Sequence, residues 1–259
     1  MSNSFFQLIQ RDIKKTLNFR AFLIWISLSG LCLFFFIFSN GRYDLVENGT
    51  IDFMSLFLPQ IIFGPWAILS VYYDLISSDR EHNVLDCILC SGIKKKTVFL
   101  SKMLTSLIVS LVLSLIYLLP ITLTIISITK EINYIVVLIK YFLPLWGYIM
   151  VFSSLGILIS VIARSSKAAL IWSLACGLIL MPRFFMLLIE GLGTILRWSQ
   201  TTKDWISLIS PGVLMSALSD FTNTEIFLTS IAGFSLFVFL SFILGYVIFI
   251  NQDEWNYGE

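Results

Sequence analysis

Residues 103–128 read MLTSLIVSLVLSLIYLLPITLTIISI and carry no charged side chain. A helix of about 20 apolar residues crosses the hydrocarbon core of a bilayer, so this stretch is long enough to span one. It is too long for a strand and lacks the in-and-out alternation of a membrane barrel. Five further stretches share its character, at about 21–39, 54–73, 141–163, 168–189 and 226–250. Of the 259 residues, 58 % are hydrophobic and 13 % charged, where a soluble domain carries roughly 25 % charged residues. That is too little polar surface to enclose a soluble core, and too much apolar area for a disordered chain. The net charge of +1 gives no basic excess, so no nucleic-acid partner is expected. The expected fold is all-α: a single polytopic domain of six transmembrane helices in a lipid bilayer.

Lys and Arg in short loops orient such a chain. With the N-terminus inside, eleven of the seventeen basic residues fall on the cytoplasmic side, among them Arg11, Lys14, Lys15, Arg20, Arg80, Lys94–Lys96, Lys102, Arg164 and Lys167. Both termini are therefore expected in the cytoplasm. Four basic residues precede the first span, but Ser39-Asn40-Gly41-Arg42 is a poor cleavage site, so this span is read as an uncleaved helix. None of the four cysteines lies in an expected outside loop, so no disulfide framework is implied.

The non-membrane pieces carry more specific information. In residues 4–18, Phe5, Phe6, Ile9, Ile13, Thr16 and Leu17 fall on one arc of a helical wheel, and Gln7, Arg11, Lys14, Lys15 and Asn18 on the other. This pattern predicts an interfacial amphipathic helix. Between spans two and three, Ser78-Asp79-Arg80-Glu81 has the form of a capping box. It predicts a helix over 79–91 ended by Gly92, with Lys94–Lys96 behind its negative end. Val84, Leu85, Ile88, Leu89 and Cys87 form its apolar arc. At 1.5 Å per residue it is about 20 Å long, a suitable size for a docking element.

The run Asp79-Arg80-Glu81-His82-Asn83-Val84-Leu85-Asp86-Cys87-Ile88-Leu89-Cys90-Ser91-Gly92-Ile93-Lys94-Lys95 resembles the coupling-helix signature of type-2 ABC transporter permeases. Glu81, Leu85, Asp86, Leu89, Lys94, Lys95 and the later Lys102 match it. Asn83 and Val84 stand in place of Gly-Thr, and Gly92 in place of Pro. The stretch Ser160 to Ala169 resembles the family's tight turn between spans four and five. Ser207-Leu208-Ile209-Ser210-Pro211 resembles its Ser-Pro element before the last span. In that family the segment equivalent to 190–225 forms short re-entrant or interfacial elements on the outer side. The resemblance implies the permease subunit of an ABC exporter in a bacterial plasma (inner) membrane. It implies a separate ABC ATPase as partner and a second permease copy or paralogue beside it. Glu81, Val84, Leu85, Asp86, Ile88, Leu89 and Lys94 would seat on the ATPase. No cofactor is expected on this chain, ATP and Mg belonging to the partner, and no enzymatic activity is expected of it.

Other candidates are weaker. Gln60 and Pro65, with Pro59 and Gly64, interrupt the second span, and such breaks either line pathways or are repaired by neighbouring helices. Arg183 follows Pro182 inside the expected fifth span, with Glu190 two turns on; an intramembrane charge is a candidate for the substrate path, against simple kink geometry. Cys87-x-x-Cys90 has a metal-like spacing, but a structural zinc wants four ligands and the chain has one His. No metal site is expected, and the pair is read as helix packing. Asn48-Gly49-Thr50 is a glycosylation sequon by letter. No phosphate loop or zinc-protease motif is present; the alternative function is an ATPase-independent channel or secondary transporter, which would be expected to show internal repeats or mid-membrane charges, and neither is clear in the sequence. A peptide, antibiotic or lipid-like cargo suits a long aromatic-rich pathway with few charges.

Overall fold

The computed structural model describes residues 2–38, 41–48, 53–130, 134–207, 210–218 and 224–252. Among them every regular element is an α-helix: α1 Ser2–Thr16, α2 Phe19–Phe38, α3 Gly41–Asn48, α4 Phe53–Tyr72, α5 Ser77–Glu81, α6 Val84–Cys90, α7 Lys95–Thr129, α8 Tyr134–Ile162, α9 Ser166–Ile179, α10 Pro182–Ile195, α11 Gln200–Ser207, α12 Pro211–Leu218 and α13 Thr224–Asn251. Five helical stretches are long and apolar enough to cross a membrane: Phe19–Phe38, Leu56–Glu81, Lys95–Thr129, Tyr141–Ile162 and Phe227–Asn251. The sixth, expected as one helix over 168–189, is instead a broken pair in which α9 and α10 meet at 72°. Pro182 causes the break. Its ring holds Met181 in an extended conformation, ψ 131°, and it takes the first position of a new helix, where its missing N–H costs nothing. Glu190 therefore rides on a helix that turns away from α9.

Helix packing is built from buried aromatic and small polar side chains. Trp25 of α2, Phe57 of α4 and Tyr117 of α7 meet ring to ring at 6.0 Å. Cys32 lies 2.6 Å from the Tyr117 hydroxyl, and the Ser29 hydroxyl donates to the Tyr117 carbonyl at 3.1 Å. Between α7 and α8 runs a seam of buried serines, with Ser106 donating to Ser153 at 3.0 Å and the Trp146 indole donating to Ser110 at 3.1 Å. In lipid there is no hydrophobic drive to bring helices together, so close approach and such hydrogen bonds have to do it.

Pro65 shows how a broken backbone is repaired. It supplies no N–H to the carbonyl of Ile61 one turn earlier. The buried Tyr148 hydroxyl of α8 donates to that carbonyl at 3.1 Å. Tyr148→Phe is therefore expected to cost about 1–2 kcal/mol, the cost of leaving a buried acceptor unpaired, seen as a lower unfolding midpoint in detergent.

Helix α1 packs along α7, and it is rotated from the expected wheel. Leu8, Ile9, Asp12 and Thr16 are buried, whereas Phe6 is 67 % exposed.

Candidate functional site

The chain between α4 and α7 forms the site. It is not the single helix expected over 79–91. α5 and α6 are separate, and Asn83 between them is left-handed with φ 55°. Asn is among the few side chains that tolerate this conformation. Asn83, which departs from the resembled Gly, is thus a residue type that this left-handed position admits. The capping box also does not form. Turns carry the backbone from α4 into α5, so the N–H of Ser78 already donates to Asp74 and that of Arg80 to Ile76. The N–H groups of Ile76 and Ser77 are taken by the Ser160 hydroxyl of α8, at 2.8 and 2.9 Å. Glu81 reaches away instead, accepting from the N–H of Ser166 in the first turn of α9 at 2.9 Å. Gly92 ends α6 as expected, with φ +83° and its N–H on the Leu89 carbonyl. A Cβ there would meet nothing within 4 Å, so only backbone conformation requires glycine. Gly92→Ala is expected to cost about 1 kcal/mol by thermal unfolding.

Around this element lies a buried charge network whose members were not among the expected site residues. The Lys102 ammonium of α7, 1 % exposed, bonds Asp12 of α1 at 2.9 Å, Asp79 of α5 at 2.5 Å and the Leu75 carbonyl at 3.0 Å. Arg11 bonds Asp12 at 2.7 Å and Asp79 at 2.6 Å. Lys15 reaches Asp79 at 3.2 Å and the Asp74 carbonyl at 3.1 Å. Burial alone would lower the Arg11 guanidinium, but Asp12 and Asp79 more than offset it and hold it above its ordinary value. This network explains the rotation of α1. An unpaired buried ammonium is costly, so Asp12 turns to Lys102 and takes Phe6 out of the contact. The signal existed in the sequence: at 100° per residue Asp12 lies about 20° from Phe5, on the apolar arc.

Arg80 forms the opposite anchor. Its guanidinium donates to the Ala163 and Val161 carbonyls at the end of α8, at 2.9 and 3.0 Å, and to the Gln252 side chain beyond α13 at 3.0 Å. Helix ends leave such carbonyls without partners. Lys95 donates to the Gln252 backbone carbonyl at 2.9 Å. The α5–α6 element is thus tied to α1, α7, α8, α9 and the end of α13.

The expected docking residues divide accordingly. Leu85 is 1 % exposed, in a buried cluster with Ile76, Phe99, Val161 and Phe249, and Ile88 and Leu89 pack partly against it. The apolar arc therefore faces the protein's own core, because α6 lies flat on the bundle end. This corrects the assignment of Leu85 to an open face. Glu81 is exposed but engaged with α9. The open edge consists of His82, Asn83, Cys87, Cys90, Ser91 and Lys94, with Val84 and Asp86 half-buried. Cys87 and Cys90 are both exposed, so the reading of the pair as helix packing is corrected. Among the described residues no group of three His, Cys, Asp or Glu side chains is arranged to hold a metal ion.

Of the path candidates, Gln60 is fully buried in α4, and neither side-chain amide atom makes a hydrogen bond. Pro65 is buried beside it. Gly212 of α12 sits against Pro182 and Ile61, so the segments carrying Arg183 and Gln60 converge there. Glu190 is exposed and lines an open cleft of about 320 Å³ with Thr194, Gln200 and Lys203. The side chains of Arg183 and Trp205, Gly49-Thr50 of the sequon, and Leu208-Ile209 lie outside the described residues.

Among the described residues the chain is an all-helical, multi-pass membrane bundle with a short helical element locked across one end. A family model described as ABC-2 family transporter protein matches residues 11–254. The chain belongs to that family and is a membrane permease subunit of an ABC transporter, a family that implies an ABC ATPase partner. No curated protein matches the chain.

Proposed function

We propose that this permease is an exporter driven by an ABC ATPase that docks on the open edge of α5–α6. Two copies, or one copy and a paralogue, form the pathway, with both termini cytoplasmic in a bacterial plasma membrane. The observation that carries this reading is the locking of α5–α6. The element is bound to α1, α7, α8 and α9 through Arg11, Lys102, Ser160 and Glu81, while its polar edge stays open. ATP and Mg remain on the partner. When the ATPase pair closes, it pushes this edge. Because the element is tied to α1, α7, α8 and α9, the push moves the whole bundle end, not spans two and three alone. Rigid-body movement of this kind switches access. A peptide, antibiotic or lipid-like cargo suits the interior, which is aromatic and contains buried Gln60.

The test is the double charge reversal Asp86→Lys with Lys94→Glu, both on the open edge or its border. Removing complementary charges from an interface is expected to reduce ATPase co-purification and substrate-stimulated hydrolysis by about tenfold or more, with the unfolding midpoint of the permease unchanged. If the ATPase stays bound and stimulated, the docking edge is misplaced.

A further inference from the structure

We propose that the elbow between α1 and α2 holds the headgroup of an acidic phospholipid. A crevice opens there between the start of α2 and the end of α4, lined by Lys15, Asn18, Arg20, Ser70, Tyr73 and Asp74. The crevice lies where α2 begins, at Phe19, and α4 ends, at Tyr72, among the Lys, Arg and Asp side chains that flank these apolar helices, which places it at the polar boundary of the bilayer, the depth of lipid phosphates.

Its charge suits an anion. Asp74 is the one carboxylate in the lining, against Lys15 and Arg20. Behind Lys15 stands the network in which Arg11, Lys15 and Lys102 face Asp12 and Asp79; with Arg20 and Asp74 of the lining, four cations in all meet three carboxylates. Asn18 is already spent, its side-chain oxygen capping the Ala21 N–H at 2.8 Å. Arg20 is exposed and has no ion-pair partner among the described residues. It is the group left to meet a phosphate, and an arginine fork matches phosphate oxygens two at a time.

What separates a lipid from a free phosphate is the surface next to the crevice. Phe19, Phe22, Leu23 and Ile26 of α2 are all exposed and share one face of the helix, and Arg20 stands at the border between that face and the side carrying Ala21 and Ile24, which line the crevice. A phosphate held by Arg20 would leave its acyl chains lying on this ridge. Inorganic phosphate has no use for the ridge, and a soluble protein partner would not reach a surface inside the bilayer.

The experiment uses the full chain, delipidated in mild detergent and titrated with phosphatidylglycerol or phosphatidylcholine, with bound lipid counted by native mass spectrometry. Retention of phosphatidylglycerol is expected to exceed that of phosphatidylcholine by about fivefold, the effect of one basic residue near an anionic headgroup. Arg20→Gln is expected to remove the preference, and Phe22→Ser to weaken retention of both lipids, each with an unchanged unfolding midpoint. Equal retention of the two lipids overturns the proposal, as does an Arg20→Gln variant that keeps the preference. Displacement of phosphatidylglycerol by millimolar inorganic phosphate means the site takes phosphate alone, which also overturns it. If Arg20→Gln does not fold, a photo-reactive phosphatidylglycerol on the unaltered chain decides. Labelling within residues 18–26 supports the site, and labelling elsewhere refutes it.

Discussion

Replacing Lys102 with Met is expected to destabilise the permease by about 3–5 kcal/mol, the range for removing one partner of a buried ion pair. The reason is the burial of what remains. Asp12 and Asp79 are 0 % and 7 % exposed at the side chain, so water cannot replace the lost ammonium. Asp79 keeps Arg11 and Lys15, but Asp12 keeps Arg11 alone, and its second oxygen already has no hydrogen-bond partner. Adding Asp12→Asn to Lys102→Met removes the stranded charge and is expected to restore part of the loss. Thermal unfolding of the purified chain in detergent measures both, and the single variant should fall by about 10 °C or more. A double variant no more stable than the single one would mean that Asp12 is not the stranded group. Loss of this lock also frees α1 from α7, so stimulation of the ATPase partner is expected to fall even in protein that remains folded.

The second large effect concerns Leu85. Leu85→Asp places a carboxylate in the apolar cluster of Ile76, Phe99, Val161 and Phe249. The expected cost is about 4 kcal/mol or more, read as loss of folded protein after membrane extraction. Cys87→Asp, two residues on and exposed, is expected to leave the unfolding midpoint within about 0.5 kcal/mol of the starting protein. Comparison of the two separates the packed face of α6 from its open edge. Equal stability of both variants would show that α6 does not lie on the bundle as described.

Much of this was legible in the sequence because lipid makes simple demands. Every backbone polar group in hydrocarbon must be satisfied internally, so long apolar runs become helices. Residues 103–128 fall within α7, and Gly92 ends α6 in the left-handed conformation that its position after the apolar run implies. The segment with the coupling-helix resemblance was recognisable from Glu81, Leu85, Asp86, Leu89, Lys94 and Lys95, which keep their spacing whatever the tertiary arrangement. Two features misled. Ser78 and Glu81 have capping-box spacing, but the turns out of α4 already occupy the N–H groups that a cap would take. The unbroken hydropathy across 168–189 hid the change of direction at Pro182, because hydropathy does not sense a 72° bend.

The sequence by itself determined that the chain is a helical membrane protein, where five of its apolar spans lie, and which loop resembles a docking element. Each of these follows from local composition: apolar length, turn residues and motif spacing. Only the tertiary structure decided which side of that element is open. Asp12, Asp79 and Lys102 lie 67 and 23 residues apart along the chain, and Arg80 meets Gln252 across 172. No periodicity links positions so distant. They come together because a charge carried into a helix bundle must find its opposite there, and the helix that supplies it is fixed by packing.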